Sequence, residues 1–218
     1  MAGIRLEGNN SFRGLAVLPT VSAQPKALYI DDAMLPALPV DSSRHVMEDW
    51  LIAPLSYRSS AQISDHEILL SNGIVSRTWY RNGDAVGCYS INCHSTNQEF
   101  LRSIRPEVEL TINGKVYPVG GLTGQKAENF ILPQWLETLQ PFPNGFRLTS
   151  VAAEAISPRF PSRLHHEWMG HPAAWPPTGR QLVMTYAGPK GTDAEGMEVD
   201  VHTELYDGLP LFGKWFEL

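Results

Sequence analysis

From about Asp65 onward, apolar and polar positions along the chain alternate in short stretches separated by turn signals, and no 3.6-residue periodicity is sustained. Glu67-Ile68-Leu69-Leu70 runs through Ser71-Asn72-Gly73 into Ile74-Val75-Ser76-Arg77-Thr78-Trp79-Tyr80. An Asn-Gly pair between two β-rich runs predicts a hairpin, because both residues tolerate the positive φ that tight hairpin turns demand. A second pair, Asn82-Gly83, leads into Ala85 to Ile91, and a third, Asn113-Gly114, joins Val108-Glu109-Leu110-Thr111-Ile112 to Lys115-Val116-Tyr117-Pro118-Val119. Val108, Leu110 and Ile112 alternate with Glu109 and Thr111, so one face of that strand is expected to be buried and the other wet.

Asn144-Gly145 precedes a strand candidate from Phe146 to Val151, and Gln181 to Ala187 is the next. The cleanest alternation sets Val199, Val201, Thr203 and Leu205 against Asp200, His202, Glu204 and Tyr206. Many short strands divided by 18 Gly and 17 Pro predict an all-β, antiparallel sandwich or barrel rather than βαβ units. Helix is expected in two short pieces only, Arg44 to Leu51 behind the cap Asp41-Ser42-Ser43, and Gln134 to Leu139. Residues 1–40, punctuated by proline as in Leu35-Pro36-Ala37-Leu38-Pro39, read as an extended or partly disordered arm, and residues 41–218 as the β domain. Leu211 to Leu218 begins a further strand and then stops, which reads as a C-terminally incomplete domain whose apolar edge would self-associate.

Composition narrows the function classes. The chain is 43% hydrophobic and 18% charged with a formal net charge of −6, which offers no clustered basic surface for nucleic acid. No apolar run approaches the roughly 20 residues of a membrane-spanning helix. Gly14 to Gln24, behind Arg5 and Arg13, has the outline of a degraded secretion signal; a disordered arm is the alternative. Cys88 and Cys93 are five residues apart, an odd separation that would send them to opposite faces of one regular strand and keep them from bonding.

The densest reactive cluster is Arg163-Leu164-His165-His166-Glu167-Trp168-Met169-Gly170-His171. Zinc proteases place two histidines four apart on a helix; here the second follows His166 after five, which leaves the rings about 140° apart on a helix. No helical metal site results, and a loop-borne site from His165, His166 and His171 is the remaining metal reading. Carboxylates at i,i+2 spacing, Asp65 with Glu67 and Glu107 with Glu109, share a strand face, and Glu204 has no acidic partner on its own face; a catalytic pair would also need a cleft between the two groups. There is no Gly-x-Ser-x-Gly elbow, and Gly120-Gly121-Leu122-Thr123-Gly124 lacks phosphate-loop spacing, so it reads as a turn with positive φ. No catalytic residue, metal site or cofactor is assigned. Trp79, His166, Trp168 and Trp175 are the candidate carbohydrate-binding residues, since pyranose C–H faces stack on aromatic rings, although a core role is open for each tryptophan.

Five segments in order, Leu70 to Arg77, Leu101 to Glu107, Val119-Gly120-Gly121-Leu122 with Gly124-Gln125, Trp175-Pro176-Pro177 with Gly179, and Leu205 to Pro210 with Lys214-Trp215, resemble the N-terminal β-supersandwich of bacterial proteins related to the alpha-galactosidases of glycoside hydrolase family 36. The resemblance implies a galactose-mutarotase-like fold packed against a following (β/α)8 barrel that carries the two catalytic aspartates. It implies a non-catalytic, carbohydrate-facing region of a glycosidase, periplasmic or secreted, with carbohydrate and the barrel as partners. A free-standing carbohydrate-binding module and a small metal- or His-dependent enzyme are the alternatives.

Overall fold

The computed structural model describes residues 5–7, 57–94, 96–159 and 175–218. The described residues form an all-β, antiparallel, sandwich-like structure of fourteen strands in four sheets, with a single 3-10 helix. The expected helix from Arg44 to Leu51, the leader-like Gly14 to Gln24 and the His165 to His171 cluster lie outside the described residues. No helix among the described residues is long and apolar enough to cross a membrane.

One layer is a five-stranded meander of β2 (Ser60–Ile63), β3 (Glu67–Ser71), β4 (Val75–Asn82), β5 (Ala85–Cys93) and β6 (Gln98–Glu99). The other is the four-stranded meander β11 (Arg147–Ala155), β12 (Gly179–Ala187), β13 (Glu198–Tyr206) and β14 (Phe212–Glu217). A three-stranded sheet, ordered β1 (Arg5–Glu7), β7 (Val108–Ile112), β8 (Lys115–Val119), adds Val108, Leu110, Ile112, Tyr117 and Val119 to the same core. The core joins Ile68, Leu70 and Trp79 of the first layer to Leu182, Met184, Tyr186, Val201 and Leu205 of the second. A smaller cluster of Ala85, Ile104, Leu122, Leu136 and Leu139 unites β9 (Leu122–Thr123), the 3-10 helix Pro133–Thr138 and the residue that precedes β10 (Gln140–Pro141) with the start of β5.

The Asn-Gly signals mark hairpins as expected. Asn113 and Gly114 both take positive φ, +50° and +79°, which matches the right-handed twist of β7 and β8. The short helix from Gln134 is present as a 3-10 turn. One inference from spacing is corrected. Cys88 and Cys93 do not point to opposite faces; both are buried in the main core. The register of β4 against β5 steps from Thr78 opposite Ser90 to Trp79 opposite Cys88, so Tyr89 is an inserted bulge residue. One extra residue inverts the alternation, and an odd separation then returns to the same face.

Candidate functional site

Two polar arrangements stand out, one enclosed between the layers and one on the outer face of the four-stranded sheet. The enclosed one centres on Glu107, just before β7. Its Oε1 accepts the Trp79 indole N–H at 2.7 Å, and Arg77 Nη2 donates to Oε1 at 3.1 Å and to Oε2 at 2.8 Å. Lys214 Nζ lies 2.6 Å from Oε2 and donates to the Glu107 backbone carbonyl at 2.7 Å. Burial by itself would raise the carboxyl's pKa; the Arg77 and Lys214 charges outweigh it and hold Glu107 down at about 2. Burial likewise opposes the charge on Arg77, but Glu107 keeps the guanidinium firmly protonated. The Arg77 Nε–H donates to Cys88 Sγ at 3.3 Å, yet burial dominates and pushes that thiol up.

A carboxylate so enclosed and neutralised cannot exchange a proton with a substrate, so Glu107 is a structural anchor. It is also not the partner of Glu109, whose side chain is exposed. Asp65 is exposed in the turn before β3, while Glu67 accepts the Tyr89 hydroxyl at 2.7 Å.

The outer arrangement follows from the alternation along β13. Valines and Leu205 face the core, which leaves Asp200, His202, Glu204 and Tyr206 on the opposite face. Cross-strand register extends these into rows: Glu154, Gln181, Glu204 and Gly213 form one, and Ala152, Val183, His202 and Trp215 the next. Gln181 and Glu204 are buried at 5% and 2% exposure although they lie on the outer face. The Tyr206 hydroxyl donates to Glu204 Oε2 at 2.6 Å, and burial followed by that bond raises the Tyr206 pKa. At Gly213 a Cβ would come within 2.9 Å of Glu204 Oε2 and 3.2 Å of the Tyr206 oxygen, so this hydrogen-bonded pair fills the space a side chain would need and glycine is what fits beneath it.

The imidazole of His202 stacks on the Trp215 ring at 4.7 Å between centroids, 8° from parallel. The Arg159 guanidinium lies 3.6 Å from the same ring centroid. Both groups on one face would overlap, so Trp215 is sandwiched between them. A cation over an exposed aromatic face contributes about 0.5–1 kcal/mol.

Of the four residues expected to bind carbohydrate, Trp79 and Trp175 are among the described residues. Trp79 has no exposed surface, and its indole is committed to Glu107. Trp175 is 53% exposed in the segment leading into β12, and it is the one exposed tryptophan among the described residues. His166 and Trp168 lie outside the described residues. Gln181, Gly213 and Trp215 escape a sequence reading because their association with His202 and Glu204 depends on register between strands; the alternation of β13 was the available signal. Among the described residues no group of three or more His, Cys, Asp or Glu side chains is placed to hold a metal ion. No family model matches the chain, and neither do the curated proteins or solved structures searched.

Proposed function

We propose that this chain is the carbohydrate-facing β-sandwich of a glycoside hydrolase resembling family 36, a region that contacts saccharide and does not itself hydrolyse it. The observation that carries the reading is Trp175, an aromatic ring 53% exposed at the entry to the strand whose outer face carries Gln181. An open indole plane is the surface on which the apolar C–H face of a sugar ring stacks. The order of the five resembling segments supports the same reading, and with it a galactose-mutarotase-like supersandwich, a (β/α)8 barrel as the catalytic partner, and a periplasmic or secreted setting. Glu107, a buried carboxylate, is consumed by Arg77, Lys214 and Trp79, which favours a binding role over a catalytic one.

The test is an array of neutral and anionic oligosaccharides probed with the whole chain, followed by calorimetric titration with methyl α-galactoside. Binding of saccharide, weakened about tenfold by Trp175→Ala, is expected, with no release of nitrophenol from an aryl α-galactoside. A chain that binds no saccharide on the array, or one that turns over the aryl glycoside, overturns the proposal.

A further inference from the structure

β11 and β14 are the two edges of the four-stranded sheet. The hydrogen-bonding phase of that sheet fixes which residues of β11 turn their backbone groups outward. Gly188 N donates to Met197 O and Asp207 N to Thr178 O, so the alternate β12 residues between them, Arg180, Leu182, Met184 and Tyr186, bond to β13. Their partners across β11 therefore point away from β12: Leu148 opposite Tyr186, Val151 opposite Met184, Ala153 opposite Leu182 and Ala155 opposite Arg180. The first is occupied, since Leu148 N donates to Asp84 O at 2.8 Å. Val151, Ala153 and Ala155 have no backbone partner on that side among the described residues.

An open edge is a row of directional donors and acceptors that an extended strand satisfies, and proteins shield such edges with lysine, proline or a bulge. β14 carries Lys214, whereas the bulge of β11 falls at Thr149, before the open stretch. From Val151 to Ala155 the one charged residue is Glu154, and Ala152, Ala153, Glu154 and Ala155 are all exposed. Successive strand residues face opposite sides, so the segment is uncovered on both faces as well as along its edge. Its own sequence complements it. Antiparallel pairing with β11 of a second copy, centred on Ala153, sets Val151 opposite Ala155 and Ala153 opposite itself, so all three outward residues exchange both backbone bonds. Each Glu154 then lies opposite Ala152 of the other copy, and no like charges meet face to face. A centre at Ala152 would instead bring the irregular Thr149 against Ala155.

We propose that two copies of this chain join through β11, edge to edge and antiparallel about Ala153, so that their four-stranded sheets become one continuous sheet. The self-association expected of Leu211 to Leu218 moves to the opposite edge of the same sheet, and the proposal is independent of the carbohydrate reading.

Sedimentation equilibrium of the whole chain, from low micromolar to several hundred micromolar, is expected to show a reversible monomer–dimer equilibrium. Ala153→Pro removes an N–H that points away from β12, so it should weaken association at least tenfold and leave the melting temperature of the dilute chain unchanged. Ala152→Pro removes a bond to Val183 and should lower that temperature; an Ala152→Pro chain as stable as the wild type overturns the assignment of outward residues. Should Ala153→Pro unfold, Ala153→Lys decides the matter, since it sets two ammonium groups opposite each other and should weaken the dimer at least tenfold, with partial recovery in high salt. The register has its own readout. Opposed Cα atoms in a hydrogen-bonded pair lie about 5.5 Å apart, within reach of a disulfide. Mild oxidation should therefore link two copies of the Ala153→Cys variant but not of Ala155→Cys, which meets Val151. A wild-type chain that stays monomeric throughout the range, or a dimer indifferent to Ala153→Pro and Ala153→Lys, overturns the proposal.

Discussion

Lys214 Nζ lies 2.6 Å from Glu107 Oε2, joining two residues 107 positions apart in the chain. Through this contact one carboxylate ties the edge strand β14 to the entry of β7, while Arg77 and Trp79 fasten it to β4. The members of the cluster are not equivalent. Glu107→Gln leaves two cations facing each other without their counter-charge and is expected to cost about 3–5 kcal/mol. Lys214→Met leaves the Arg77–Glu107 pair intact and removes a side chain that is 30% exposed, so about 1–2 kcal/mol is expected. Urea unfolding of both variants checks this; equal losses would show that Glu107 is not the centre.

Acid should dismantle the same cluster. Glu107 titrates at about 2 in the folded chain against an ordinary value of 4.5, so its folded pKa is depressed. The sign follows: the contribution is fully present above about pH 4.5 and is lost as the pH falls towards 2, amounting to about 3 kcal/mol. Asp207 acts in the same direction. Burial opposes its charge, but the Ser59 N–H and hydroxyl, both at 2.7 Å, outweigh it and lower its pKa. Unfolding free energy measured from pH 6 to pH 2 should therefore fall, with most of the Glu107 share absent from Glu107→Gln. A wild-type profile that is flat between pH 4.5 and 2.5 would refute the assignment.

The elements that could be read from sequence are those set by local chemistry. Asn113-Gly114 dictates its hairpin through backbone sterics alone, and the β13 alternation reports its two faces because one side is buried. The four-residue β2 and the two-residue β9 and β10 lack enough alternation to register and exist through their pairing partners. Tyr89 shows a second limit: a single inserted residue inverts the faces downstream of it, and nothing in the residue types around Tyr89 marks the insertion. The candidate site was half legible for the same reason. Asp200, His202, Glu204 and Tyr206 could be grouped by period, whereas Gln181, Gly213 and Trp215 join them only through long-range register.

Asn72 carries more than the turn that betrayed it. Its Oδ1 accepts the Ile74 and Val75 N–H groups at 3.0 and 3.1 Å, which shapes the hairpin. Its Nδ2 donates to the carbonyls of Tyr206 and Leu209 at 2.9 and 2.8 Å, linking the turn to the end of β13. Asn72→Ala orphans buried donors and acceptors on both sides and is expected to cost about 2–4 kcal/mol. Asn72→Asp retains the acceptor but sets a carboxylate against two carbonyl oxygens, so it should not rescue the loss. Chemical denaturation reads both, and an Ala variant within about 0.5 kcal/mol of wild type would show the link to be dispensable.

The bulge at Tyr89 makes a prediction about thiol chemistry. Because it returns Cys88 and Cys93 to the same face, both sulfurs sit in the core at 4% and 1% exposure. The reactive species is the thiolate, and burial raises the Cys88 pKa in spite of the neighbouring Arg77. At Cys88 two barriers therefore act together, exclusion of the reagent and suppression of the nucleophile, while at Cys93 exclusion by burial suffices. Under native conditions at pH 8 an aromatic disulfide reagent should label neither thiol on the timescale of a free cysteine, and both should react once denaturant opens the sandwich. The rates should rise in parallel with the unfolded fraction, since one cooperative core encloses both groups. Fast native labelling of just one cysteine would place it on the outer face and so contradict the register that inserts Tyr89.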